Sequence, residues 1–173
     1  MAIQGLAYLK TSWNFEERPV ASAKLNTWDD RIEAALELAY ALIAGQWGGG
    51  DGVIRGENAD DLKAIATASP GLAVEVQSGW AFIDGFPFKL AGATETVDVA
   101  APDAEDRIDL VQAELLTWNV TIKTGVESAS PSAPAADSGC LALAELYLRP
   151  GMTSIKNADD DSNGYIIDAR AFA

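Results

Sequence analysis

The 173-residue chain contains no histidine, a single cysteine and no apolar run long enough to cross a bilayer. Without imidazole it lacks the usual general base at neutral pH, the Ser-His and Cys-His couples, and the commonest transition-metal ligand. One cysteine, Cys140, excludes an internal disulfide framework and a cysteine-based zinc cage. Set within Gly139-Cys140-Leu141-Ala142-Leu143, it reads as a buried small apolar residue rather than a reactive thiol. A spanning helix needs about 20 apolar residues, so membrane insertion is not expected. The opening Met-Ala-Ile-Gln-Gly-Leu lacks the basic start and long apolar stretch of a secretory signal. The expectation is a protein made in the cytoplasm and used without Sec-type export. Basic residues are also scarce, 12 against 26 acidic ones, for a net charge of −14. Such a surface repels phosphate backbones and anionic headgroups, so no nucleic-acid partner is expected. Acidity also keeps proteins soluble and by itself names no partner.

Apolar residues make up 49 % of the chain, enough for a real core. Two carboxylates alone can serve a glycosidase. Here the acidic pairs Asp29-Asp30 and Asp60-Asp61 are better read as caps and solvated surface. The chain is therefore expected to be no enzyme and to need no cofactor.

The first regular element is expected over residues 26–45. Thr27 followed by Asp30 forms a capping box, with Asn26 as the alternative cap. Trp28, Ile32, Ala35, Leu36, Ala39, Leu42 and Ile43 then recur in steps of three and four, a helical stripe. Within it Trp28, Ile32, Ala35, Ala39 and Leu42 keep the four-three alternation of a coiled-coil seam over about two heptads. Gly45 supplies a left-handed helix end, and Gly48-Gly49-Gly50-Asp51-Gly52 reads as a flexible joint. The stripe has two readings, a helix packed on its own domain and a helix packed on other chains. The joint favours the second. Upstream, Trp13, Phe15 and Val20 are too apolar for a free tail and suggest an arm that docks on a neighbouring protein.

After the joint the period changes to two. Leu72, Val74 and Val76 alternate with polar or small residues, and a Ser78-Gly79 turn leads into Trp80-Ala81-Phe82-Ile83. Asp84-Gly85 then turns into Phe86-Pro87-Phe88. Residues 94–99 alternate, 108–123 read as a hairpin with Trp118 at its tip, and 141–148 and 165–168 add strands. Residues 59–67 fit either a short helix or an edge strand, and 128–137 read as a surface loop. The expected class is α+β, mainly β: an N-terminal helix, with a trimeric coiled coil as its candidate state, before an antiparallel β-sandwich or barrel. The expected divisions are a docking arm (1–25), an assembly helix (26–45), a Gly-rich joint (46–57) and a β-domain (58–173).

Four segments, in order, carry a resemblance. They are residues 72–86 with their Gly turn and Asp-Gly end; Arg107-Ile108-Asp109 opening a hairpin; Val120-Thr121-Ile122-Lys123-Thr124-Gly125 with the later run 141–151; and Tyr165-Ile166-Ile167-Asp168-Ala169-Arg170. Together they span about residues 70–170 and resemble a module of tailed-bacteriophage virion proteins, chiefly baseplate, tail-fibre and receptor-binding proteins. The resemblance implies a homotrimeric β-domain linking a virion attachment point to a fibre or head. Its partners would be copies of itself, other virion proteins and a host-surface glycan. Little chain follows Phe172, which favours a connector, short fibre or decoration role. Arg107 and Asp109 are then expected to be a partly exposed strand-start pair contributing about 0–1 kcal/mol.

Two motifs remain. Asp159, Asp161 and Asn163, followed by Gly164, match the opening of a calcium loop, but Arg170 stands where the bidentate Glu should be. A polar turn with Asn-Gly at its tip accounts for the same residues, and no metal is expected. Five tryptophans could offer sugar-stacking faces. Packing explains four of them, and Trp118 is expected to be exposed.

Overall fold

The change of period near residue 50 is also a division of the structure. In a computed structural model the chain splits into two units, Met1–Gly49 and Gly50–Ala173. Residues 23–30, 32, 36, 39, 50–55, 59–96 and 98–173 are described. The expected arm residues Trp13 and Phe15, the stripe positions Ala35, Leu42 and Ile43, and the start of the joint lie outside them.

In the first unit residues 23–30 are helical, as are Ile32, Leu36 and Ala39. The helix thus begins at or before Ala23, not at a cap on Asn26 or Thr27. Ala23, Lys24 and Leu25 are good helix formers. The Thr27 hydroxyl donates back to the Ala23 carbonyl at 2.8 Å, a bond made inside a helix rather than at its start.

Among its described residues the second unit has eleven strands in three sheets. One sheet has the order β1 (Gly52–Ile54), β4 (Gly79–Ile83), β5 (Phe86–Leu90). A second pairs β2 (Ala64–Ala66), β3 (Val74–Val76) and β6 (Thr94–Glu95). The largest runs β10 (Ile155–Lys156), β11 (Gly164–Asp168), β9 (Cys140–Leu148), β7 (Arg107–Glu114), β8 (Asn119–Lys123). None of the three closes into a barrel, which removes that alternative. Nor is the pairing wholly antiparallel, because β10 and β11 run parallel. The ambiguous 59–67 segment is a turn followed by edge strand β2.

Alternation places one face of each sheet on a shared core. Val53, Val74, Val76, Ile83, Phe88, Val111, Leu143, Leu146 and Ile155, drawn from all three sheets, are wholly buried there. Leu62 is also wholly buried, although its φ of 52° lies in the left-handed region. That conformation costs about 1–2 kcal/mol, while burying a leucine contributes about 1.5–3 kcal/mol. Burial wins, and the preceding turn is bent to allow it.

The expected joint over 46–57 needs correction. Its residues Gly52–Ile54 are β1, paired with β4 through Gly52↔Phe82, Val53↔Ala81 and Ile54↔Trp80. On the free edge of β1, the Val53 N–H donates to the Ala171 carbonyl (2.7 Å) and the Ala173 N–H to the Val53 carbonyl (3.1 Å). A Cβ on Gly52 would lie 2.6 Å from the Ala173 nitrogen. Gly52 is therefore a close-packing residue, invisible as such within a run of glycines. Gly50 has nothing within 4 Å of its would-be Cβ.

This contrast is testable. Gly52→Ala should destabilise the fold by about 1–3 kcal/mol, the scale of an overpacked site. Gly50→Ala should stay within about 0.5 kcal/mol of the parent in urea unfolding.

Candidate functional site

The structure brings the predicted residues together in three places. The first is the helical stripe. Of the stripe, Trp28, Leu36 and Ala39 are exposed and Ile32 is half-buried; exposed Leu25, which the sequence reading did not include, extends this apolar face by one turn.

The second is the start of β7. Arg107 and Asp109 do pair, but they are 9 % and 1 % exposed, not a surface couple. The guanidinium meets the carboxylate through both oxygens, Nε to Oδ1 at 2.8 Å and Nη2 to Oδ2 at 3.1 Å. Arg107 Nη2 also donates to the Ala100 carbonyl at 2.7 Å. Asp109 Oδ1 accepts the Gly125 N–H at 2.8 Å. Only glycine permits that approach, since a Cβ there would collide with the Ile108 carbonyl. Glu127 lies on the other side of the guanidinium, 3.9 Å from Nη1, and accepts the N–H groups of Asp103 and Ala104. Those two backbone bonds hold its carboxyl below the ordinary 4.5. Spacing shows that residues 107 and 109 share a strand face. Ala100, Gly125 and Glu127 come to that face only through the fold.

From Glu127 the Pro-containing loop is tied down rather than loose. The Ser128 N–H donates to the Asp106 carbonyl. Further on, Gln112 and Asp137 exchange hydrogen bonds at 2.9 and 3.0 Å, and Lys123 pairs with Asp137 at 2.6 Å. Lys123, followed by Gln112, holds the Asp137 carboxyl below its ordinary value.

The third is the 159–164 turn, where the calcium ligands do not converge. Asp159 pairs with Arg149 at 2.9 Å and accepts the Asp161 N–H, while the Asn163 carbonyl accepts from Arg149. The organising residue is Asp160, whose carboxylate takes the Ser162 and Asn163 N–H groups and the Asn163 side-chain amide. The amide first, and then the two backbone groups, pull its pKa to about 2. Arg149, then the Asp161 N–H, likewise lowers that of Asp159. Backbone N–H groups and an arginine take the place of water around these carboxylates. Arg170 instead pairs with Asp168 and donates to the Asp61 carbonyl at 2.6 Å. Among the described residues no group of three or more acidic or cysteine side chains is placed to hold a metal. Behind the turn, Tyr147 and Tyr165 stack at 5.1 Å, and the Tyr147 hydroxyl donates to Asp106.

Several single residues depart from expectation. Cys140 is half-buried rather than buried, and desolvation, followed by Glu114, raises its pKa. Trp118 is exposed as expected, but so are Trp28 and Trp80, the latter with Lys89 over its ring at 4.7 Å. Alternation could not have flagged Trp80, because it shares its strand face with Phe82, which is buried. An open polar depression of about 230 Å³ is lined by Ala59, Asp60, Asp61, Gln77 and Ser78; Asp60 there is paired with Lys63.

Comparison with known proteins adds no relative: no family model, no curated protein and no solved structure matches the chain.

Two outcomes follow. Asp109→Asn should leave the buried Arg107 with only Glu127, 3.9 Å away, as counter-charge and cost about 3–5 kcal/mol in urea unfolding. Arg107→Met with Asp109→Leu should recover most of that loss. The depressed carboxylates, Glu127, Asp137, Asp159, Asp160 and Asp168, all favour the ionised form in the folded state. Their stabilisation is complete above the ordinary values of 4.5 and 3.8 and is lost as pH falls through the lowered ones. Melting temperature should fall from there towards pH 2, and Asp160→Asn should flatten the most acidic part of that fall.

Proposed function

We propose that the chain is a non-enzymatic structural component of a tailed-bacteriophage particle, of fibre, baseplate or connector type. In this reading it oligomerises, most simply as a trimer, through the helical stripe, and it attaches to other virion proteins. The observation that carries the reading is the exposed apolar face of Leu25, Trp28, Leu36 and Ala39 on a helix belonging to a unit separate from the β-unit. Water-facing leucine and tryptophan at helical spacing favour burial against other helices. The ordered resemblance of residues 70–170 supplies the virion context. The tied-down β-unit suits a part that bears load rather than one that opens around a substrate.

A carbohydrate-binding module is the second reading, favoured by the exposed rings of Trp80 and Trp118. Lys89 already covers Trp80, and the side chain beside Trp118 in its turn is aliphatic Leu116. Both features suit protein contact better than a sugar ring.

The test is the mass of the purified chain by light scattering. A trimer of the 18.2 kDa chain is expected, and Ile32→Asp should reduce it to monomer, because an unpaired carboxylate cannot enter a helix seam without heavy cost. A wild-type monomer at micromolar concentration sinks the assembly reading. Release of reducing sugar from host envelope polysaccharide sinks the non-enzymatic one.

A further inference from the structure

A second apolar surface lies on the β-unit, at the tips of two hairpins. Leu116 is 89 % exposed, Phe86 61 % and Trp118 52 %. The Trp118 ring packs on Phe88 at 6.3 Å between centroids, and Phe86 stands two residues along the same face of β5. The Leu115 N–H donates to the Gly139 carbonyl, and a Cβ on Gly139 would lie 3.8 Å from Asp84 Oδ2. The β4–β5 and β7–β8 turns therefore meet at one end of the unit. Trp118 holds a φ of 54°, a position where glycine or asparagine would be unstrained. Trp118 has a packing partner in Phe88, but folding alone gives no reason for Leu116 and Phe86 to stand so exposed at turn tips beside it.

The charge around this end is one-sided. Glu114 is the cross-strand partner of Cys140, the Cys140 N–H donates to the Asp137 carbonyl at 3.1 Å, and Asp84 Oδ2 lies 3.8 Å from a Cβ built on Gly139. Lys123 is already bound to Asp137. Carboxylates at the same end as the exposed apolar side chains complement a partner that carries lysine or arginine beside an apolar site. A second copy of this chain would set the same carboxylates against each other.

We propose that the Phe86, Leu116 and Trp118 tip is a docking surface for a different protein, one presenting an apolar site with lysine or arginine beside it. The surface goes beyond the helix-driven assembly proposed above and does not require it.

The test uses the full chain, immobilised and challenged with a displayed library of short random peptides. Enriched peptides should combine an aromatic or aliphatic anchor with Lys or Arg and bind more weakly as salt rises. Affinity should fall about tenfold or more on Leu116→Ser combined with Trp118→Gly, the scale of an interface hot spot. It should persist in Ile32→Asp, which separates this surface from the helix. Trp118→Gly relieves the left-handed strain, so the double variant should melt no lower than wild type. If it does, Leu116→Ser alone carries the comparison, because that side chain is almost wholly in water. No enrichment, peptides poor in Lys and Arg, or unchanged binding to the variants overturns the proposal. Glycan-array binding that disappears in the same variants overturns it in favour of a sugar.

Discussion

The β-unit is organised around the buried contact of Arg107 with Asp109. Taking two charges out of water costs several kcal/mol per ion, and the attraction between them offsets this only if the remaining donors and acceptors are also satisfied. That requirement reaches well beyond the pair. It brings the Ala100 carbonyl to the guanidinium and the Gly125 N–H to the carboxylate, and it leaves Glu127 beside both with the amides of residues 103 and 104. The segment entering β7 and the segment leaving β8 are thereby fixed at one point. Replacing the whole pair with apolar residues can be nearly neutral, so its contribution is geometric specificity more than net energy.

From that point the Pro-containing loop runs to a second polar anchor, the exchange between Gln112 and Asp137. A bulge between Val111 and Gln112 shifts the β7–β9 register just before Gln112. The 159–164 turn follows the same rule on a smaller scale, with Asp160 satisfying backbone donors that would otherwise face only solvent. Acidic residues that look like solubilising surface thus hold loops in place, which is why the unit's stability is tied to their ionisation.

Part of the apolar exposure is gathered in two places, while Trp80, Val126, Ile167 and Phe172 are exposed elsewhere. The helical stripe in one unit and the hairpin tips in the other each gather several large side chains, while most of the β-unit's apolar residues lie in a single core. In the proposed reading the stripe joins copies of the chain and the tips meet a different protein. Net acidity serves both by discouraging unspecific contact between copies.

Much of this was legible in the sequence. Alternation located β3, β4, β5, β9, β11 and the β7–β8 hairpin because half-buried strands must place apolar residues at every second position. The Trp118 tip followed from its turn, and the helical stripe from its spacing. Strands β1 and β10 did not follow, since two or three residues carry no period. The role of Gly52 was hidden among identical neighbours, and the start of the helix was misplaced because Thr27 suits a cap as well as an interior position. The depth of Arg107 and Asp109, the partners of Asp160 and the packing of Trp118 on Phe88 were decided by tertiary structure alone. Burial and hydrogen-bond partners depend on which distant segments the fold brings together, whereas periodicity reports only which face of its own element a residue occupies.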